Sequence, residues 1–285
     1  MKMGTSVTLT IDGEEVSVSQ GTTLREACDQ VSHSVPTLCW HENLSPANAC
    51  RACVVELKGS RPLVASCSRI AEDGMEVMTN TERVRNARKV VAELLLSTSD
   101  ATLAPDLRHL AEESGAQAGR FSGGASWEQP VRVDNELYVR DFSKCILCYR
   151  CVEACGTDAQ NTFAIAVAGR GFNAHIDAGF GRDLPESDCV YCGNCVAVCP
   201  TGALIGKTEW DMRNQDQWDE NKISVTETVC SYCGVGCELQ LNVMDNKIVK
   251  VTSPMDHPIT HGMLCVKGRY GYEFVQSEDG LASNS

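Results

Sequence analysis

Eight of the 17 cysteines in this 285-residue chain fall in two short runs with one spacing. The stretches "CILCYRCVEACGTD", residues 145 to 158, and "CVYCGNCVAVCPTG", residues 189 to 202, both read C-x2-C-x2-C-x3-C. An odd number of cysteines excludes complete pairing into disulfides. The opening "MKMGTSVTLTIDGEEV" offers one Lys, then alternating polar and apolar residues, with no apolar stretch of signal-peptide length and no small-residue cleavage site. Apolar runs such as "VVAELLL" are broken by charge and too short to span a bilayer. The expectation is a soluble cytoplasmic protein whose thiols stay reduced, so that clustered cysteines are metal ligands rather than disulfides. Composition agrees: with 43% hydrophobic but only 6% aromatic residues, several small cores are expected rather than one large one, and small cores need staples. A net charge of -13 argues against nucleic-acid or anionic-membrane binding, both of which need a positive surface.

Thiolate is a soft ligand that selects iron–sulfur clusters and zinc. Two-residue gaps let three cysteines of one turning loop reach three corners of one cubane. The fourth thiol, three residues on, is expected to point away, the three-residue step to it directing the chain into a helix that leads toward the other cluster. In two-cluster ferredoxins the last cysteine of each run ligates the other cluster. Cys145, Cys148 and Cys151 are therefore expected to share a [4Fe-4S] cluster with Cys199, and Cys189, Cys192 and Cys195 one with Cys155. Pro200 follows Cys199 as the bacterial pattern requires, whereas Gly156 follows Cys155. The alternative, a pair of zinc sites, would usually place two close pairs rather than quartets.

Four segments are expected. In residues 1–80, Val7, Leu9 and Ile11 alternate, Asp12-Gly13 turns, and Val16 and Val18 alternate, which reads as a β-hairpin. The stretch "TTLREACDQV" then reads as a helix, and "CVVELKG" and "RPLVASC" as strands. Residues 81–131 open with Val84, Ala87, Val90, Val91, Leu94 and Leu95 at helical spacing, continue with a second helix from Pro105, and end in the Gly/Ser/Ala linker "SGAQAGRFSGGAS". Residues 132–210 carry the two runs. Residues 222–285 read as a small β-rich module.

Two further quartets complete the set. Cys39, Cys50, Cys53 and Cys67 read C-x10-C-x2-C-x13-C. They keep the central C-x2-C and distant fourth cysteine of plant-type [2Fe-2S] ferredoxins, with a longer first loop; scattered buried cysteines are the alternative. Cys230, Cys233, Cys237 and Cys265 read C-x2-C-x3-C-x27-C, for which a zinc ribbon is the alternative. The stretches "LCWHENLSPANACRACVVEL" and "LVASC" resemble the [2Fe-2S] domain that begins the large iron–sulfur subunit of respiratory complex I, NAD-linked formate dehydrogenases and multimeric iron hydrogenases. That resemblance implies a ferredoxin-like β-grasp. "CSYCGVGC" and "CVKGRYGYEFV" resemble the [4Fe-4S] module that begins the molybdopterin oxidoreductases. In that family a lysine two residues after the fourth cysteine lies between cluster and pterin, here Lys267.

Nearly the whole sequence thus resembles the N-terminal electron-transfer part of a formate dehydrogenase α subunit, with an α+β, multi-domain fold, one [2Fe-2S] and three [4Fe-4S] clusters. Two departures are visible. The family's cluster with one histidine and three cysteine ligands is expected to be lost, since no cysteine lies between Cys67 and Cys145, which makes residues 81–131 a remnant of that region and His109 a helix-surface residue. The sequence also reaches Ser285 where molybdopterin-binding domains would begin, and no cysteine follows Cys265 for a hydrogenase catalytic cluster, so no catalytic site is expected within it.

Weaker signals are set aside. "GRGFNA", 169–174, matches a dinucleotide fingerprint, but no amphipathic helix continues it. Cys28, outside the quartets, reads as a small core residue, and His33, His41, His175, His257 and His261 show no metal-ligand spacing. The resulting expectation is an electron-transfer subunit of an NAD(P)H-linked oxidoreductase. The resemblance implies an NADH-oxidising flavoprotein partner with a small [2Fe-2S] subunit. At the other end it implies a molybdenum or tungsten formate dehydrogenase chain, a hydrogenase, or a second flavin site in a bifurcating transhydrogenase. Two other classes remain: the front half of a split molybdopterin oxidoreductase, which molybdopterin in the purified complex would favour, and a structural zinc assembly protein, which a colourless preparation would favour.

Overall fold

The computed structural model describes residues 6–123 and 129–276, so the expectations for 1–80, 81–131 and 222–285 extend in part beyond the described residues. The chain separates into two compact units. One comprises Met1–Trp40, Pro46–Trp127 and Lys144–Cys148; the other comprises His41–Ser45, Glu128–Ser143 and Tyr149–Ser285. Among the described residues no helix is long and apolar enough to cross a membrane.

In the first unit, β1 (Ser6–Ile11) and β2 (Glu14–Ser19) form the expected antiparallel hairpin, closed by Asp12 and Gly13 at φ 48° and 91°. Helix α1 (Leu24–Gln30) starts at a capping box: Thr23 Oγ1 accepts from Glu26 N at 3.2 Å, and Glu26 Oε2 accepts from Thr23 N at 2.8 Å. Strands β3 (Val54–Leu57), β4 (Val64–Ala65) and β5 (Glu76–Met78) complete a mixed sheet of order β2-β1-β5-β3-β4, in which β5 lies parallel to β1. "RPLVASC" thus yields a strand of two residues. β5 was not legible locally, because three residues carry no alternation and its pairing with Thr10 and Ile11 is long-range. The buried face of α1, with Leu24, Ala27 and Cys28, packs with Leu9, Ile11, Val18, Val55 and Val77. Cys53 and Cys67 belong to the same core, so their Cα positions are fixed by it.

A second core forms from helices α2 (Glu82–Thr98), capped by Thr81, and α3 (Pro105–Ser114), which starts at Pro105 and ends on Gly115 at φ 62°. Leu107 and Leu110 pack there with Leu38, Cys39, Ala52, Ala92, Ile146 and Cys148. The expected linker is more ordered than its composition suggests. Gln117 N and Arg120 Nη1 donate to the carboxylate of Glu93 at 3.2 and 2.6 Å, and that side chain is fully buried on α2. Buried carboxylates need such partners, and these tie the segment back onto the helix; residues 124–128 lie outside the described residues.

The second unit holds β6 (Tyr138–Arg140), α4 (Arg150–Cys155), the hairpin β7 (Ala166–Ala168) and β8 (His175–Asp177), α5 (Asn194–Ala197), β9 (Leu204–Gly206) and α6 (Lys207–Asn214). β6 and β9 pair antiparallel, clasping the ends of this stretch. An antiparallel sheet follows, β10 (Ser224–Val229), β11 (Glu238–Met244) and β12 (Lys247–Thr252), then α7 (Val266–Tyr270). This is the expected β-rich character. The three-residue step from Cys151 to Cys155 runs, as expected, in a helix: Cys155 is the last residue of α4, one turn after Cys151. "GRGFNA" forms the tight loop of the β7–β8 hairpin, where a Cβ on Gly169 would lie 2.2 Å from Asn173 O, so that glycine serves the turn.

Because Leu107 is fully buried beside Cys39 and Ala52, Leu107→Ala is expected to destabilise the first unit by about 2–5 kcal/mol. Denaturant unfolding of the chain followed by far-UV circular dichroism checks it: the midpoint of the affected transition should fall while its slope is kept.

Candidate metal centres

The first quartet sits where the two cores of the first unit meet. Cys53 and Cys67 emerge from the sheet core and Cys39 from the helical core. Cys39, Cys53 and Cys67 are buried and Cys50 is half-buried. Arg51, at φ 61° inside the C-x2-C, turns the chain so that Cys50 and Cys53 can face one point. The sulfurs share protons. Hydrogen bonds from the Cys50 and Cys67 thiols pull Cys39 down, and the Cys67 thiol pulls Cys53 down. Cys50 and Cys67, which keep their protons, are driven up by the same bonds to Cys39 and by burial. Backbone N–H groups of Cys50 and Ala49 also aim at Cys39. Four sulfurs within hydrogen-bond reach of one another, with amide donors turned toward Cys39, suit a group that binds all four as thiolates.

The runs at 145 and 189 are built alike, 44 residues apart. Leu147 and Tyr191 have φ 52° and 57°, and Tyr149 and Gly193 have φ 66° and 71°. The amide after the left-handed turn reaches back to the first sulfur in each: Leu147 N to Cys145 Sγ at 3.4 Å, and Tyr191 N to Cys189 Sγ at 3.4 Å. Sequence spacing thus translates into one repeated backbone path. Cys145 and Cys148 fall in the first unit, and Cys151 and Cys199 in the second.

Within the second unit, Cys155 is brought beside Cys189, Cys192 and Cys195 around one cavity, whose apolar wall includes Ile165, Ile176 and Leu184. Cys155 Sγ accepts from Ala164 N at 3.2 Å and lies 3.4 Å from Thr162 Oγ1. Tyr138 Oη lies 3.2 Å from Cys189 Sγ. Burial, and then the negative charge of nearby cysteines, push the Tyr138 phenol far above its ordinary range, so it keeps its proton and serves as the donor to sulfur. Cys195 is driven well up by burial and by the charges of Cys192, Cys189 and Cys155; Cys192 is raised by burial first. Burial of Cys192 and Cys195 disfavours their ionised forms unless a cation is supplied. The donor set is all sulfur, and amide and hydroxyl donors are aimed at it, which fits an iron–sulfur cluster.

The last quartet borders the β10–β12 sheet. Cys230 is buried, and its N–H donates to Cys237 O at 2.8 Å. Cys237 is raised by burial and then by the charges of Cys230, Cys233 and Cys265, which places all four in one field. Cys265 is the N-cap residue of α7, and a Cβ on Gly268 would lie 3.8 Å from Cys230 Sγ, so the helix covers that sulfur closely. Lys267 is exposed on α7.

Sequence reasoning missed Arg269 and Asn194, both buried, whose importance appears only through burial and hydrogen bonding. His109 is exposed on α3 and lies 3.3 Å from Glu113. His33 lies 3.7 Å from Asp12, and His257 3.7 Å from Glu238.

Three family models match successive stretches: a 2Fe-2S iron-sulfur cluster binding domain at residues 4–82, a 4Fe-4S dicluster domain at 144–203, and the molybdopterin oxidoreductase Fe4S4 domain at 223–277. The chain is 35% identical over 284 residues to the NADPH-Fe(3+) oxidoreductase subunit alpha of Geobacter sulfurreducens, covering 97% of this chain and 32% of that protein. It is 39% identical over 211 residues to the NADP-reducing hydrogenase subunit HndD of Solidesulfovibrio fructosivorans, covering 70% and 36%. It therefore spans about a third of the length of these curated relatives. Among solved structures, a chain of an NAD+-reducing [NiFe]-hydrogenase in the H2-reduced state superposes with TM-score 0.64 at 28% identity, covering 71% of this chain and 88% of that one.

Cys28 stands apart from the quartets. It is fully buried on α1, and burial, then the charge of Asp12, push its thiol up to about 12. It should stay protonated and unlabelled by iodoacetamide at neutral to mildly alkaline pH in the folded protein and react only after denaturation. Peptide mass spectrometry would contradict this if the folded chain labels there at the rate of a free thiol.

Proposed function

Since the chain belongs to the family of iron–sulfur electron-transfer subunits of NAD(P)H-linked oxidoreductases, hydrogenases and formate dehydrogenases, we propose that it relays single electrons through four clusters, between a flavoprotein partner and another redox centre. The observation that carries this reading furthest is the meeting of Cys155 with Cys189, Cys192 and Cys195 in one apolar cavity, as crossed ligation requires. The proposed ligand sets are Cys39, Cys50, Cys53 and Cys67 for a [2Fe-2S] cluster; Cys145, Cys148, Cys151 and Cys199 for one [4Fe-4S] cluster; Cys155, Cys189, Cys192 and Cys195 for a second; and Cys230, Cys233, Cys237 and Cys265 for a third. When bound, such clusters exchange one electron each.

The residues of the chain supply the surroundings. Amide donors from Leu147, Tyr191 and Ala164 and the Tyr138 hydroxyl offset negative charge on sulfur, which favours the reduced state, and the apolar wall keeps water from the second set. The four-part layout, with a β-grasp domain at 1–80, a helical segment at 81–131, a two-cluster domain at 132–210 and a [4Fe-4S] module at 222–285, is supported by the bounds of the three family models and by the parallel β1–β5 pairing of the mixed sheet. The names of the relatives support a nicotinamide cofactor at one end of the electron path and a hydrogenase at the other; the flavoprotein with a small [2Fe-2S] subunit, and a formate-oxidising molybdenum or tungsten chain as another far end, are proposed from the family resemblance alone. Lys267, two residues beyond Cys265 and exposed, is the proposed contact to a pterin if the far end is a molybdopterin chain.

The chain purified anaerobically should bleach with dithionite and show one [2Fe-2S] signal and cubane signals by electron paramagnetic resonance. Cys155→Ser should then alter the signal that Cys189→Ser also alters, leaving the [2Fe-2S] signal intact. A Cys155→Ser effect shared instead with Cys145→Ser would refute the crossed assignment.

A further inference from the structure

Arg269 lies one turn beyond Cys265 on α7 and is only 5% exposed, although a guanidinium remains charged in proteins. Nε donates to Cys192 O at 3.0 Å, Nη2 to Asn194 Oδ1 at 2.9 Å and Gly262 O at 3.5 Å, and Nη1 to Val251 O at 3.4 Å. Every one of these acceptors is a neutral amide oxygen. Burial of a cation without an opposing carboxylate is costly. The side chains set around this cation include Tyr270, Cys192, Cys195 and Cys265, while burial, the largest effect on it, works against its charge. Arg269 is thus a buried guanidinium held by neutral oxygens beside cysteines of two different quartets.

The loop it grips is shaped to receive it. Gly193, between Cys192 and Asn194, has φ 71°, and a Cβ there would lie 2.5 Å from Arg269 Cδ and 2.3 Å from Tyr270 Oη. Only glycine leaves room for both side chains. Tyr270 in turn stacks on Tyr138 with ring centroids 6.2 Å apart, and Tyr138 donates to Cys189 Sγ. Asn194 Oδ1 accepts from Leu264 N at 3.0 Å as well as from Arg269, so one buried amide ties the residue before Cys195 to the residue before Cys265.

We propose that Arg269 sets the reduction potential of the cluster held by Cys155, Cys189, Cys192 and Cys195, by fixing a buried positive charge against its Cys192–Cys195 loop. Arg269 also joins that loop to the segment that bears Cys265. The inference rests on the ligand sets proposed above. Reduction adds one negative charge to a cluster, so a nearby fixed cation stabilises the reduced form and raises the potential. Arg269 sits on the helix whose N-cap residue is Cys265, but it hydrogen-bonds directly to the second-run loop, where the larger effect falls. Arg269 acts here as a positioning residue with an electrostatic output.

The test is a mediated redox titration of the full chain, prepared anaerobically with its clusters and followed by electron paramagnetic resonance, with the second-run signal identified as the one Cys195→Ser perturbs. Arg269→Gln should make that cluster at least tenfold harder to reduce at a given potential, a downward shift of about 59 mV for one electron, with the [2Fe-2S] midpoint unmoved. Arg269→Lys, which keeps the charge, should restore most of the shift. Asn194→Asp places a carboxylate at the same acceptor position and should also lower the midpoint; it keeps the test open should the glutamine variant not accumulate. Unchanged midpoints in Arg269→Gln or Asn194→Asp, or a lysine variant that behaves as the glutamine one, would overturn the proposal and leave Arg269 a packing residue. A Cys195→Ser variant that perturbs no cubane signal would instead overturn the ligand reading, and this inference with it.

Discussion

Gathering four thiolates around one point is electrostatically unfavourable, and everything else in this chain is arranged around that fact. Like charges at short range in a poorly solvated chamber drive each other's protonation up, as at Cys195, whose surroundings are Cys192, Cys189 and Cys155. Within the Cys39, Cys50, Cys53 and Cys67 set, hydrogen bonds between the sulfurs lower Cys39 and Cys53 and raise Cys50 and Cys67. A cluster replaces thiol protons with iron, and its binding free energy then becomes folding free energy. Small cores suffice on that basis. The sheet core and the helical core of the first unit each contribute cysteines to one quartet, so packing positions the sulfurs and the bound group would in turn hold the two cores together.

The sequence showed the quartets because ligand spacing is a local property. The C-x2-C-x2-C-x3-C runs, repeated with the same left-handed turns at Leu147 and Tyr191 and at Tyr149 and Gly193, carry their own backbone path. Hairpin β1–β2 and helices α1, α2 and α3 were equally legible, from the Asp12-Gly13 turn, the amphipathic stretch "TTLREACDQV", the helical spacing from Val84 and Pro105. What was not legible depends on distant partners. β5 exists through its parallel pairing with β1, and residues 117 and 120 were misjudged as linker because their binding to Glu93 lies 24 and 27 residues back along the chain. The helix expected over the step to Cys155 is present as α4 and ends there, since Gly156 follows as its C-cap. Composition could not separate Arg269 from a surface arginine; only its burial and the oxygen atoms around it do.

Within the second unit, the segment that carries Cys265 and the loop that carries Cys192 and Cys195 share hydrogen bonds through Arg269 and Asn194. Electron transfer between carriers depends on fixed separations and matched potentials, and rigid buried polar bonds secure the first while charge placement adjusts the second. The Tyr138, Tyr191 and Tyr270 rings pack together beside the same loop, with tilted and stacked geometry, while Cys189 Sγ meets the Tyr138 hydroxyl and the Tyr191 amide. A relay subunit of this kind needs no acid, base or nucleophile; its chemistry lies in the spacing and surroundings of its sulfurs.

The central claim, that the repeated runs exchange their fourth ligands around two cubanes, is tested most directly by an iron anomalous difference map from anaerobically grown crystals. The account predicts a cubane peak bounded by the sulfurs of Cys155, Cys189, Cys192 and Cys195, and a second bounded by Cys145, Cys148, Cys151 and Cys199. Cys155 sulfur bonded to the cubane of Cys145, or zinc at these positions in place of iron, would contradict it.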